Sequence, residues 1–281
     1  MKNKFHHYVS QFYLRKFAHT PGRNSKMYMY DFLENTEEPK ARIGSNAGED
    51  YFNECFGSDH LAIEHFYDKE IESPAGAALK RVLEVCSLES SQDLCDILLF
   101  FAMTTARNPK QREHIEEPIR QLDLMLLKTA LGSDAGKAMK ARSNRNLSSK
   151  EHVTVEIELI DPIHEALCKK NWSLLAAPSS GDGFITSDDP MQIVHASAPG
   201  NWGFDSEGAQ LFAPLSPGLA LFGGSGVQKR GVFTLTKEEV AAFNSETIKG
   251  AHRYIFARSG KFEVHDTSGP KRWNDWLALR S

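Results

Sequence analysis

The chain has 281 residues, of which 41% are hydrophobic and 25% are charged, and these are the proportions of an ordinary globular protein. Its formal net charge of −4 excludes a general attraction to nucleic acid but allows a local basic patch. The longest apolar run, residues 97–103, is far shorter than the roughly 20 residues that cross a bilayer, so we expect no membrane contact of that kind.

Four cysteines are scattered along the chain: Cys55, Cys86, Cys95 and Cys168. They form no C-x-x-C pair, which argues against a thiolate zinc site and against a disulfide framework. His60 and His65 near Glu64 also lack a metal-ligand pattern, so no metal site is predicted and the cofactor is unknown. Residues 1–15 lack the continuous apolar core of a signal peptide, and we expect a cytoplasmic location.

The first quarter of the chain predicts a helix and then a strand. Residues 5–17 are rich in aromatic side chains with helical spacing, although Ser10 is also a plausible N-cap that would begin the helix later. Residues 27–32 alternate as a strand does. A loop-rich stretch follows to about Phe56.

Three helices are predicted next. Residues 71–88 show helical spacing, and residues 91–105 are apolar nearly all round, which predicts a buried helix. Asn108 and Pro109 then provide an N-cap and a first-turn proline for a further helix. Pro118 should kink or restart that helix.

A basic segment follows at residues 137–150. It carries five positive residues with no acidic residue between them: Lys137, Lys140, Arg142, Arg145 and Lys150. We interpret it mainly as a solvated connector, because it is polar and aperiodic. The alternative is contact with phosphate, which would make nucleic acid or a nucleotide a partner.

The second half is strand-rich. Residues 153–160 alternate weakly, which predicts a strand, and residues 161–169 predict a short helix. From residue 171 onward, short apolar runs alternate with glycine, proline, serine and aspartate, as in strands of one mostly antiparallel sheet. One helix interrupts the strands, with Thr236 and Glu239 placed as a capping box.

These elements predict an α+β fold. A helical N-terminal part, about residues 1–170, would pack on the sheet formed by about residues 171–281. We expect residues 1–281 to form a single domain.

Polar residues in apolar surroundings are candidates for function, because such groups are costly to desolvate unless they are paired or used. In a helix over residues 5–17, His7, Gln11 and Arg15 form a narrow stripe among aromatic side chains. The alternative is a structural network in which His7 bonds a carbonyl. Arg107 closes the buried helix and could grip a carboxylate or phosphate, or could simply complement the helix C-terminus.

Two further places carry such groups. The strand at residues 184–190 ends in three polar residues: Ser187, Asp188 and Asp189. Carboxylates at strand ends are also common turn formers, and that alternative stays open. Asn244 lies on an apolar helix face and should be buried with partners. The chain has no G-x-S-x-G, Walker-type, G-x-G-x-x-G or H-E-x-x-H motif.

Residues 7–17, HYVSQFYLRKF, resemble the opening H-Y-V-P-Q-F-x-L-x-x-F pattern of a microbial family catalogued as domain of unknown function 4238. Four later segments are similar to its R-[TS]-P, F-[IV]-T-S-D-N-P, P-L-S-P and N-x6-A-x-R-[YF]-[IV] patterns: 107–109, 184–190, 214–217 and 244–255. The chain departs from the family at Ser10 for proline, Asn108 for a small hydroxyl residue and Asp189 for asparagine. The resemblance implies shared motifs and no activity.

If the polar residues converge, they offer a base, an anion clamp and polar partners. We hypothesise that His7 and Asp188 are catalytic and that six residues bind substrate: Gln11, Arg15, Arg107, Ser187, Asp189 and Asn244. This inventory suits a nuclease-like or nucleotide-directed phosphodiester hydrolase, in a toxin or phage-defence setting. The alternative is a non-catalytic ligand-binding or interaction protein with a buried structural polar network. The sequence leaves open whether the protein is an enzyme.

Overall fold

The structure is a computed structural model, and it describes residues 5–7, 9–19, 25–45, 48–50, 62–131, 147–195 and 203–279. Residues 137–146 of the basic segment lie outside the described residues, as do Cys55 and His60.

Helices dominate the described residues between 62 and 168, whereas the described residues before 51 are mainly strands. The helices are α1 (Gln11–Leu14), α2 (Ala62–Tyr67), α3 (Ser73–Val85), α4 (Ser91–Ala106), α5 (Pro109–Leu131) and α6 (Ser149–Cys168), followed later by α7 (Lys237–Gly250) and α8 (Trp273–Ala278). Short 3-10 turns occur at Arg15–Phe17 and Ile43–Ser45, and a π-helical turn at Asp68–Glu72. Within the described ranges, no helix is long and apolar enough to span a bilayer.

The strands group into small sheets. They are β1 (Phe5–His7), β2 (Lys26–Asp31), β3 (Thr36–Arg42), β4 (Gly48–Asp50), β5 (Asn171–Ala176), β6 (Thr186–Ser187), β7 (Gln192–His195), β8 (Gln210–Ser216), β9 (Leu219–Gly224), β10 (Val232–Thr234), β11 (Tyr254–Ala257), β12 (Glu263–Asp266) and β13 (Gly269–Arg272). A five-stranded sheet has the order β10-β5-β9-β8-β7, and a four-stranded sheet has the order β3-β2-β11-β6.

The α+β class is confirmed, but the strand-rich part does not form a single sheet. Strand β11 pairs with β2 on one side and β6 on the other, so the N-terminal quarter contributes two strands to the second sheet. Pairing is antiparallel in that sheet. In the five-stranded sheet β10 pairs with β5 in parallel, and the other pairs are antiparallel.

Helix α4 lies at the centre of the main core, as its apolar sequence predicts. Ser90 caps it by accepting a hydrogen bond from the Asp93 backbone N–H at 3.1 Å. Its buried Phe101 shares a hydrophobic cluster with Leu211 and Leu215 of β8, so helices and sheet use one core. The single-domain organisation stays a prediction.

Residues 153–160 are helical, and the predicted strand there is wrong. Ser148 and Glu151 form both hydrogen bonds of a capping box, which starts α6. The buried residues Val153, Glu156 and Ile160 are spaced by three and four, the period of a helix. Glu156 is a buried acidic residue on this helix face, so the face does not look apolar in the sequence. Its carboxylate pairs with Arg112 of α5.

The predicted helix over residues 5–17 is also wrong in its first half. Residues 5–7 form β1, which pairs antiparallel with β4, and α1 begins only at Gln11. Ser10 occupies the N-cap position, but its hydroxyl donates to Glu72 at 2.6 Å. The capping box at Thr236 and Glu239 is confirmed as the start of α7.

Candidate functional site

The start of α5 is tied to the end of β6 by one side chain. The Oδ1 atom of Asn108 accepts a hydrogen bond from the Lys110 backbone N–H at 2.9 Å, which caps the helix as its sequence predicts. The Nδ2 atom of Asn108 donates to the backbone oxygen of Asp188 at 2.8 Å. Pro118 leaves α5 uninterrupted to Leu131.

Asp188 holds the backbone of the neighbouring strand. Its side chain is fully buried, and its carboxylate accepts the backbone N–H groups of His252, Arg253 and Tyr254 at 2.9, 2.7 and 3.0 Å. Burial raises the pKa of Asp188, and the three N–H donors offset part of that rise. Both carboxylate oxygens are engaged, so this group fixes the entry to β11.

The side chains of Ser187 and Asn244 also form hydrogen bonds with backbone groups. The Ser187 hydroxyl donates to the backbone oxygen of Asp189 at 2.6 Å and accepts from the Asp189 N–H at 3.2 Å. The buried Asn244 amide accepts from the Ile185 N–H at 3.0 Å, and donates to the oxygens of Gly183 and Glu263 at 3.1 and 2.9 Å. These two side chains stabilise the loop that carries β6.

A cavity of about 320 Å³ opens beside this loop, at the start of α5. This volume falls in the range of small-ligand sites. Its polar lining consists of Thr105, Asn108, Lys110, Gln111, His114, Asp189 and Gln192, with apolar walls from Met191, Ile193 and Phe204.

Asp189 is the acidic residue among the described residues of the cavity wall, and its pKa is strongly perturbed. Its carboxyl is largely buried, and desolvation raises its pKa to about 7. Lys110 opposes the rise because its ammonium lies 3.6 Å from the carboxylate, whereas Asp188 adds to it. Lys110 also donates to the backbone oxygen of Gly250 at 3.3 Å, which fixes the position of its charge. A carboxyl that is half-ionised near neutral pH suits proton transfer.

The backbone N–H groups of residues 110–112, at the start of α5, already have acceptors within the protein, so only side chains can donate hydrogen bonds to a ligand there. The N–H of Lys110 is capped by Asn108, and the N–H groups of Gln111 and Arg112 donate to the Asn108 carbonyl at 2.9 and 3.2 Å. An anion in the cavity would therefore contact the side chains of Lys110, Gln111 and His114.

Arg107 faces away from this cavity. Its guanidinium is 1% exposed and stacks 4.4 Å from the centre of the Tyr67 ring. It lies 3.4 Å from Glu64 and 3.8 Å from Glu72. Glu72 also accepts the Ser10 hydroxyl, and burial raises the pKa of its carboxyl. The buried cation thus joins the end of α4 to α2 and to the π-helical turn that follows α2.

The predicted stripe of His7, Gln11 and Arg15 does not form on one helix. His7 lies in β1 opposite Gly48, and its side chain lies outside the described residues. Arg15 donates to Gln11 Oε1 at 2.9 Å on the surface. Asp189 lines the 320 Å³ cavity, while Asn244 lines a separate one of about 50 Å³.

Comparison with known protein families gives one match. A family model described as "Protein of unknown function (DUF4238)" matches residues 6–261. The chain belongs to this family. No curated protein and no solved structure matches it.

In this DUF4238 protein, three of the sequence motifs meet at one buried hydroxyl. The Tyr13 hydroxyl donates to the backbone oxygen of Pro214 at 2.7 Å and lies 2.7 Å from Thr186 Oγ1. Burial raises the pKa of Tyr13 well above its usual range, so the phenol stays neutral and acts as a structural donor.

Sequence reasoning missed Lys110, Gln111, His114 and Gln192 as cavity residues of this DUF4238 chain. A signal was present for the first three, because they follow a predicted N-cap and lie in the first two turns of α5. Polar and charged residues in the first turns of a helix are typical of a solvent-exposed helix surface, so they were not predicted to line a cavity.

Proposed function

We propose that this DUF4238 protein is a hydrolase that acts on a small phosphoester, with a nucleotide as the substrate class. The observation that carries the proposal is Asp189, a carboxyl with its pKa raised to about 7, placed 3.6 Å from the Lys110 ammonium in the wall of a 320 Å³ cavity. An acid poised near neutrality beside a fixed cation is a common feature of catalytic sites.

In the proposed reaction, ionised Asp189 accepts a proton from a water molecule, and the water oxygen bonds to phosphorus. The Lys110 ammonium neutralises a non-bridging phosphate oxygen as charge develops there. The ester P–O bond breaks, and the leaving oxygen takes a proton from solvent water, while the His114 side chain lines the same cavity. Gln111 supplies an amide group that orients the phosphate, whereas the Gln192 amide donates to the backbone oxygen of Asp189 and holds that residue in place.

This proposal gives the residues of the sequence hypothesis different roles. Asp188 and Ser187 hold the loop that presents Asp189. Asp189 stands where the pattern that the chain resembles has asparagine, so the proposed acid–base step rests on a residue in which this chain departs from that pattern. The toxin or phage-defence setting stays a hypothesis.

A second candidate function is ligand binding without chemistry. It is favoured by the engagement of Asp188 and Asn244, whose polar atoms bond backbone groups. These side chains act as a structural network that shapes the cavity. In this reading the cavity holds an anionic small molecule, and Asp189 tunes its affinity.

Hydrolysis assays separate the two functions. We would measure turnover of bis(p-nitrophenyl) phosphate and of a nucleotide panel by the wild type, Asp189→Asn and Lys110→Met. Loss of the general base should lower kcat by at least about 100-fold and leave KM within a few-fold. The wild-type rate should rise with pH through about 7, where Asp189 ionises.

Lys80→Met is the matched control, because this lysine is exposed on α3 and pairs only loosely with Glu84 at 3.8 Å. It should leave both constants unchanged, whereas Lys110→Met should raise KM. Equal turnover by the wild type and Asp189→Asn would exclude Asp189 as the base. Binding of a nucleotide with no turnover would support the second function.

A further inference from the structure

Two cysteines and a histidine that are distant in the sequence meet between α4 and α6. Cys95 lies on α4, and His164 and Cys168 lie on α6. The Nε2 atom of His164 lies 3.6 Å from Cys95 Sγ and 3.3 Å from Cys168 Sγ, and all three atoms are within 4.8 Å of one another. One imidazole nitrogen therefore faces two thiols.

The helices produce this cluster without any local cysteine pair. His164 and Cys168 are four residues apart on α6, so their side chains share one face of the helix. This is the spacing at which two side chains of one helix can bind the same ion. Helix α4 packs along α6 and brings Cys95 to that face. The absence of a C-x-x-C pair argued against a thiolate zinc site. That argument does not apply to a site whose ligands come from two helices.

The two nitrogen–sulfur distances fit a tetrahedral zinc ion. Bonds of about 2.3 Å to sulfur and about 2.1 Å to nitrogen place tetrahedral sulfur and nitrogen ligands about 3.6 Å apart. The observed separations from the His164 nitrogen are 3.6 and 3.3 Å. A hydrogen bond explains contact with one thiol, but a ring nitrogen carries either one proton or one lone pair. A cation bound by all three side chains would account for the position of the His164 nitrogen near both thiols.

We infer that Cys95, His164 and Cys168 form a binding site for Zn²⁺. Thiol and imidazole ligands favour this cation over magnesium or calcium. Binding would release the two thiol protons, and the two thiolates would then neutralise the dication. Cys168 is exposed and the other two ligands are partly buried, so the ion has an entry path and a fourth position open to water. The bound ion would connect α4 to α6.

Metal titration of the full chain tests the inference. Protein that has been reduced and stripped with a chelator should take up one Zn²⁺ per chain in competition with a chromogenic chelator. Co²⁺ should give the intense visible bands of a tetrahedral site together with a thiolate charge-transfer band. Zn²⁺ should raise the Tm, because it binds the folded chain in preference to the unfolded one.

Cys95→Ala, His164→Gln and Cys168→Ser should each lower the affinity at least about tenfold, and the two cysteine variants should also weaken the thiolate charge-transfer band. Cys86→Ser is the matched control, because it removes an exposed thiol at the end of α3. Cys55→Ser controls for binding elsewhere in the chain. Circular dichroism establishes that each variant is folded.

Equal Zn²⁺ affinity in the wild type and in folded Cys168→Ser would overturn the inference. Loss of binding in Cys55→Ser alone would also overturn it. A third contrary result is a Cys95–Cys168 disulfide in protein purified without reductant, combined with no Zn²⁺ uptake after reduction, which would make the cluster a thiol pair.

Discussion

Replacing Asp189 by asparagine should change how stability depends on pH. In the folded protein its carboxyl has a pKa raised from 3.8 to about 7, because it is desolvated. The folded state therefore keeps a proton that the unfolded chain loses as pH rises. The stabilisation from this proton is complete below about pH 4 and is lost progressively up to about pH 7.

The shift of about 3 pKa units corresponds to about 4 kcal/mol at most, at 1.36 kcal/mol per unit. Asp189→Asn removes the titrating group but also leaves Lys110 without this carboxylate, 3.6 Å away in the wild type. We therefore expect the free energy of unfolding of the variant to increase relative to that of the wild type as pH rises from 5 to 8, by about 1–3 kcal/mol in total.

Urea unfolding at pH 5, 6, 7 and 8 measures this change in the wild type, Asp189→Asn and the control Glu89→Gln, which alters an exposed carboxyl. The control should follow the wild type at every pH. A constant difference between Asp189→Asn and the wild type across this range would refute a raised pKa at this position, and with it the poised base.

Four other perturbations test the structural roles by urea unfolding. Asn244→Ala should lower the free energy of unfolding by about 3 kcal/mol, because three buried backbone groups lose their partners. Asp188→Asn should also lower it by about 3 kcal/mol, whereas a stable but inactive variant would point to a catalytic role. Gly183→Ala should destabilise by more than about 1 kcal/mol, since Gly183 has φ +73° and a Cβ would overlap a backbone oxygen, while Gly226→Ala in open space should change little. Deletion of residues 1–18 should abolish cooperative unfolding, because Tyr13, Leu14 and Phe17 lie in the main core, and an unchanged midpoint would contradict the shared core.

The sequence predicted elements whose signals are local. Helix α4 follows from its apolar run, and α7 follows from a capping box whose two hydrogen bonds form as expected. The strand predicted at residues 153–160 failed because a buried Glu156 breaks the apolar pattern that marks a helix face. The pairing of β11 with β2 depends on contacts across more than half the chain, which local patterning does not encode.

The candidate site was harder to predict for a related reason. Buried polar residues such as Asp188 and Asn244 stand out in a sequence whether they bond substrate or backbone, and here they bond backbone. Residues that line an open cavity, such as Lys110 and His114, look like ordinary helix surface. The meeting of Cys95 with Cys168 likewise needs the packing of two helices.

The proposed hydrolase activity requires that the cavity beside Asp189 binds a phosphate group. The most direct test is a titration of ¹⁵N-labelled protein with inorganic phosphate, the group that all phosphoesters share, followed by amide chemical shifts. Binding in the cavity should shift the amides of residues 110–114, 189 and 191–193, and Lys110→Met should weaken those shifts. Shifts concentrated around Arg107 and Glu72, or none in either cavity segment, would contradict the claim.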